Sequence, residues 1–195
     1  MIQKIVILGP ESTGKSTLCE LLAQHYATAW CPEFAREYLL TNGTDYKFED
    51  LLTIAKGQLA LEDEFSSMVQ GPWSMVNGVW VNSRTMQTSA RQPLLFIDTD
   101  MYVMKVWCEY VFQKCHQYIL DQIVNRQYDL YLLCKPDLPW VQDELREYPE
   151  EKPRQELYHI YRDIMMNQST PWVEISGDYD QRLLQAIAAV DAIRK

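Results

Sequence analysis

Apolar residues along this chain follow two alternating rhythms. Short continuous runs, Lys4 to Leu8, Ala27 to Cys31, Leu94 to Ile97, Leu130 to Cys134 and Trp172 to Ile175, are bounded by Gly9, Pro32, Pro136 and polar stretches. Runs of that length, rich in β-branched and large apolar residues, predict strands covered on both faces. Between them apolar positions recur every three to four residues, as in Leu18, Leu21, Leu22 and Tyr26, which predicts helices over 15–26, 33–40, 48–65, 102–112, 118–125, 153–166 and 179–193. Pro153 opens the sixth of these in the first turn, where its missing N–H leaves nothing unpaired. Parallel strands need long crossovers, so five strands separated by helices predict a mostly parallel five-stranded sheet inside a three-layer α/β/α sandwich.

One segment departs from this rhythm. Ser66 to Pro93 contains Gly71-Pro72, Trp73, and Asn77-Gly78 followed by Val79-Trp80-Val81. Asn-Gly between β-favouring residues predicts a two-residue hairpin turn, because both central positions of that turn need positive φ. The expectation is an inserted hairpin over 66–93 with flexible arms, serving as a lid or self-association surface, or packing its tryptophans on the body. With 195 residues the chain suits one domain spanning 1–195, and no internal repeat divides it.

Composition narrows the classes. At 47% hydrophobic and 23% charged, the chain has the balance of an ordinary globular domain, which excludes a disordered chain. A formal net charge of −9 argues against nucleic acid as partner, since such proteins usually carry a basic excess. No apolar run of about 18 residues is present, so no membrane partner is expected. The apolar stretch before Gly9 is too short for a secretory leader, which predicts a cytoplasmic protein. Five cysteines without metal-ligand spacing (Cys19, Cys31, Cys108, Cys115, Cys134) predict reduced thiols. The three histidines are scattered and receive no role.

The decisive chemistry lies in Gly9-Pro10-Glu11-Ser12-Thr13-Gly14-Lys15-Ser16-Thr17, which matches G-x-x-x-x-G-K-[ST] between a predicted strand and a predicted helix. Backbone N–H groups of such a loop point inward and cradle phosphate oxygens. Lys15 reaches the β- and γ-phosphates and the Ser16 hydroxyl helps hold Mg²⁺. Together these predict a P-loop NTPase of nucleotide-kinase-like form that binds a nucleotide with Mg²⁺. Asp98 ends the apolar run Leu95-Phe96-Ile97, where a carboxylate sits beside the phosphate loop and serves metal or base, or else caps the next helix. Asp100 shares that choice between proton acceptor and helix start.

Further candidates follow the other strands. Glu33 and Arg36 share a helix face at the carboxyl edge of the sheet, where ligands bind in open α/β folds; a surface ion pair is the alternative. The stretch from Asp137 through Trp140 to Arg146, followed by Arg154, predicts a lid over 137–154 whose arginines neutralise a transferring phosphoryl group. Trp140 or Tyr38 can stack on a substrate ring or pack in the core. Asp178 and Tyr179, between the last strand and helix, border the nucleotide base or merely start the helix.

These motifs, taken in order, resemble the ribosylnicotinamide kinase domain of NadR-type proteins, an AAA-type P-loop family. The resemblance rests on the phosphate loop with Glu11, on Glu33-Phe34-Ala35-Arg36-Glu37-Tyr38, on Ile97-Asp98-Thr99-Asp100, on Pro139-Trp140-Val141 through Asp143 to Arg146, and on Asp178-Tyr179-Asp180-Gln181-Arg182. It covers nearly the whole chain. It implies phosphorylation of nicotinamide riboside by ATP in NAD salvage, with a small nucleoside as partner. Residues around 67–89 and Glu144, where the family's turn has glycine, depart from the pattern. A kinase for another small metabolite, a regulatory nucleotide switch, and self-association all stay open at this stage.

Overall fold

The computed structural model describes residues 2–71, 73–76, 79–82, 88–89, 92–142, 145 and 150–194. In chain order the elements are β1 (Gln3–Leu8), α1 (Lys15–Tyr26), β2 (Trp30–Cys31), α2 (Phe34–Asn42), α3 (Phe48–Gln70), β3 (Trp73–Val76), β4 (Val79–Asn82), β5 (Thr88–Ser89), β6 (Leu94–Asp98), α4 (Met101–Phe112), α5 (Gln117–Asn125), β7 (Leu130–Cys134), α6 (Glu151–Asn167), β8 (Trp172–Ile175) and α7 (Tyr179–Ile193). The main sheet has the order β2-β6-β1-β7-β8, with every neighbouring pair parallel.

The alternation of side chains in β1 explains the three layers. Ile5 and Ile7 pack on one face with Leu18 and Leu22 of α1 and Val190 of α7. Val6 and Leu8 pack on the other with Val106 of α4 and Leu157 and Tyr161 of α6. Because both faces are covered, Ile5–Leu8 of β1, Leu94–Ile97 of β6 and Leu130–Cys134 of β7 are buried, near-continuous apolar runs. A third cluster joins α2, α3, α4 and α5 through Ala35, Leu51, Ile54, Met104 and Ile119. Since β1 lies between β6 and β7, the crossovers diverge at its carboxyl end. That is the crevice where open α/β sheets bind ligands, and the phosphate-loop sequence begins there.

Two elements differ from expectation. The helix predicted over 48–65 runs on to Gln70, into the segment expected to be an insertion arm. Val69 holds this last turn by burial against the sheet, and Ser67 donates back to the carbonyl of Asp63 at 2.9 Å. The strand predicted over 27–31 pairs only through Trp30 and Cys31. Its first residues finish α1 instead: Ala27 adopts φ 51°, and Thr28 N–H donates to Ala23 O at 2.9 Å. Further on, β3 pairs antiparallel with β4, Val76 facing Val79, and β4 with β5. The Asn77-Gly78 turn itself lies outside the described residues. Cys19, Cys31, Cys108 and Cys134 are buried and none of the five cysteines forms a disulfide. Among the described residues no helix is long and apolar enough to cross a membrane, and no group of three His, Cys, Asp or Glu side chains could hold a metal ion.

Candidate active site

The loop between β1 and α1 is built by its glycines. Gly9 has φ 143°, and a Cβ there would lie 2.6 Å from the carbonyl oxygen of Cys134. Gly14 caps α1 at φ 75°, with Leu138 and Tyr179 at 3.0 and 3.2 Å from where its Cβ would stand. Both positions therefore require glycine, by conformation and by space. Thr13 Oγ1 and Lys15 Nζ each donate to Pro10 O, at 2.8 and 2.9 Å. The loop forms one wall of a cavity of about 370 Å³, lined along Gly9 to Thr17.

Two carboxylates share this cavity with the loop. Asp98 ends β6 and is 1% exposed. Ser16 Oγ donates to its Oδ2 at 2.5 Å, while its Oδ1 has no hydrogen-bond partner among the described residues. Burial pushes Asp98 up to about 6; the charge of Glu33 adds to this, and Lys15 and the Ser16 hydroxyl oppose it. Glu33 also lines the cavity, and Thr99 Oγ1 donates to it at 3.4 Å. Thr99 has φ 79°, a strained conformation for a β-branched residue. That reversal of the chain sends Asp98 and Asp100 to different places.

The remaining wall was not visible in the sequence. Val103, Val106, Trp107, Tyr110 and Val111 line the cavity from α4, joined by Tyr161 of α6. Their spacing is that of a single helix face, a signal shared by any helix packed on a core. Trp107 is fixed by donating Nε1–H to Tyr46 Oη at 2.9 Å.

Of the residues expected at the site, the phosphate loop, Glu33, Arg36, Asp98 and Tyr179 line this one cavity. Asp100 does not: its carboxylate caps α4, accepting from Tyr102 and Val103 N–H, and the Tyr131 hydroxyl donates to it at 3.1 Å. Burial pushes it up to about 7. Tyr38 is turned away, its hydroxyl donating to Asp50 at 2.7 Å. Trp140 instead donates Nε1–H to Glu11 at 3.5 Å, and Val141 N–H donates to Ser12 Oγ at 3.1 Å. The chain after β7 thus folds back over the phosphate loop. Asp178 forms a reciprocal capping box with Gln181 at the start of α7. Arg154 is 5% exposed, and its Nε and Nη1 have no hydrogen-bond partner among the described residues. It lies on the α6 face that carries Leu157 and Tyr161, both of which line the cavity. Arg146, with residues 143–144 and 147–149 of the predicted lid, lies outside the described residues.

Arg182, 1% exposed, cross-links the floor beneath the loop. It donates to Gly177 O at 2.7 Å, Thr13 O at 3.1 Å and Lys135 O at 3.0 Å, and it pairs with Asp137. Asp137 in turn accepts from Gly177 N–H at 2.8 Å. One buried guanidinium therefore ties the phosphate loop to the loops after β7 and β8. Replacing Arg182 with methionine leaves three carbonyls without this donor, at an expected cost of about 3 kcal/mol. Urea unfolding would measure it, together with weakened nucleotide binding; unchanged stability would count against the cross-link.

The chain resembles known proteins in sequence and fold. A family model described as an AAA domain matches residues 4–182. Over 191 residues the chain is 24% identical to the trifunctional NAD biosynthesis/regulator protein NadR of Escherichia coli strain K12, a match covering 97% of this chain and 42% of that protein. The chain thus spans less than half the length of this curated relative. Among solved structures, it resembles a NadR protein in complex with NR, with a TM-score of 0.70 and 23% identity over 98% of this chain and 49% of the other. A NadR protein in complex with NAD and AMP-PNP gives 0.67 and 21%, over 98% and 49%. At these identities the likeness establishes the fold, a P-loop kinase architecture.

Proposed function

We propose that this chain, which belongs to the AAA domain family, transfers the γ-phosphoryl group of ATP to the hydroxyl of a nucleoside, nicotinamide riboside foremost. The observation that carries this is the composition of the cavity beside the phosphate loop. A phosphate loop forms one wall, and Glu33 with an aromatic surface from α4 forms the other. A switch protein that only hydrolyses nucleotide has no need of that second wall. The NadR relatives and the NadR structure bound to NR favour the riboside as acceptor.

The residues divide the work by position. The loop amides and Lys15 hold the β- and γ-phosphates and stabilise charge that spreads during transfer. Ser16 and Asp98 offer hard oxygen donors side by side, and the unpartnered Asp98 Oδ1 suits a small divalent cation. Mg²⁺ bound there supplies neutralisation of the phosphoryl oxygens. Glu33 orients the acceptor hydroxyl and accepts its proton, a role that Asp100, committed to the α4 cap, cannot share. Trp107 and Tyr110 line the cavity, and stacking of a cationic nicotinamide on either ring would add cation–π attraction. Arg36 lines the acceptor side as a cationic partner for acceptor oxygens.

The test is ADP release from Mg·ATP across a panel led by nicotinamide riboside and including other nucleosides, thymidylate and no acceptor, with products identified by mass. Riboside-dependent turnover yielding the mononucleotide is the expected result. Turnover with another acceptor alone would retain the kinase and reject the riboside. Hydrolysis independent of every acceptor would favour the switch.

A further inference from the structure

We infer that Gln58 of α3 is a positioning residue for Glu33, holding the Phe34 N–H at the start of α2 and so fixing where the Glu33 carboxylate meets the cavity. The inference rests on the kinase reading for its effect on turnover, and on geometry alone for the cap.

The first turn of a helix has N–H groups without intrahelical acceptors, and the residue before it usually supplies one from its side chain. Glu33 occupies that position in α2, yet its side chain makes no capping bond. The N–H of Phe34, the first residue of the helix, donates to Gln58 Oε1 at 2.7 Å, from a helix 24 residues further along. The other end of the same amide is equally committed. Gln58 Nε2 donates to Pro32 O at 3.3 Å and to Asp98 O at 3.4 Å. Gln58 is 1% exposed, so these bonds have no water to replace them.

Its neighbour explains how the approach is made. A Cβ on Gly57 would lie 2.1 to 2.4 Å from the ring of Phe34, so α3 meets the start of α2 only because residue 57 is glycine. One buried amide therefore joins the exit of β2, the first turn of α2 and the end of β6. Glu33 and Asp98, carried on separate elements, are held to a common point. Glutamine fits this task by having an acceptor and a donor on one rigid plane. Asparagine is a methylene shorter, and glutamate keeps only the acceptor.

The experiment compares Gln58→Met and Gln58→Glu with wild type, alone and combined with Glu33→Gln. Gln58→Met is expected to lower kcat roughly 10- to 100-fold through misplacement of Glu33, with KM for ATP within about twofold. Gln58→Glu, which retains an acceptor for Phe34, should recover part of that loss. In the Glu33→Gln background, Gln58→Met should cost less than about twofold more, because residues acting through one another are non-additive. Additive losses would overturn the positioning role. If Gln58→Met does not fold, Gln58→Glu carries the same cycle and the same criterion. Hydrogen exchange separates the cap from the kinase reading: the Phe34 amide should be protected in wild type and Gln58→Glu, and lose protection in Gln58→Met. Rapid exchange in wild type overturns the cap even if the enzyme is a kinase. A protected amide in a protein that phosphorylates no acceptor overturns the kinase reading and the effect on turnover, while the cap stands.

Discussion

Lys15→Ala is expected to lower phosphoryl transfer by roughly 10²–10³-fold or more, the loss typical of removing one preorganised donor from a developing charge. The melting temperature should hardly move. Lys15 is half-buried on the first turn of α1, its ammonium bonded only to the loop carbonyl of Pro10 among the described residues. It belongs to none of the hydrophobic clusters, and alanine favours the helix. The bond to Pro10 O is replaceable by water at this half-open position, so its net contribution to stability is small. Against phosphate the balance reverses, because the ammonium meets two or three negative oxygens in a cavity partly closed to water. Steady-state kinetics with a thermal melt on the same preparation measure both sides. Near-normal turnover would displace the reacting centre from this loop. Lost activity accompanied by a large fall in melting temperature would make Lys15 a structural residue.

What the sequence revealed and what it concealed divide along the range of the interactions. The phosphate loop was legible because its glycines answer to a local demand, positive φ at Gly9 and Gly14, at fixed spacing. The parallel sheet was legible because strands covered on both faces have no polar positions to confuse with helices. The acceptor wall was not. Trp107 and Tyr110 obey the same period whether their helix face meets a core or a cavity, and only the packing of α4 against α6 decides. Gln58 is a single polar residue in a helical pattern whose partners lie 24 to 40 positions away. The two aspartates after β6 were the hardest case. Their separation in the fold depends on Thr99 taking a backbone conformation that β-branched residues usually avoid. The place of Trp140 is likewise a matter of packing: the chain after β7 brings its indole N–H to Glu11 of the phosphate loop.

Asp98→Asn should move activity and stability in opposite directions. Turnover is expected to fall by roughly 10²-fold or more, as for other losses of a charge-stabilising group. The protein without nucleotide, however, should become more stable near pH 8. Asp98 is buried, one of its oxygens has no partner among the described residues, and the nearby charge of Glu33 opposes its ionisation. Its carboxyl is therefore pushed up from an ordinary value near 4 to about 6 in the folded chain. A raised carboxyl pKa means that the folded state binds the proton more tightly than the unfolded state. Its contribution to stability is then fully present below about pH 4 and is lost as pH rises through about 6. Above that pH the ionised group costs the fold on the order of 3 kcal/mol. Asparagine is neutral at every pH, fills the same volume and can still accept from the Ser16 hydroxyl. Roughly 5 °C or more of added thermal stability follows at pH 8 for a chain of this size, fading toward pH 4. Mg²⁺ with nucleotide should reverse the order, because a ligand that binds only the folded state stabilises whichever protein binds it more tightly. Melting curves at pH 4.5 and 8, with and without Mg·ATP, contain all four comparisons. If the asparagine variant is no more stable than wild type at pH 8, the carboxylate is satisfied in the resting protein, and the case for a cation beside Ser16 loses its physical basis.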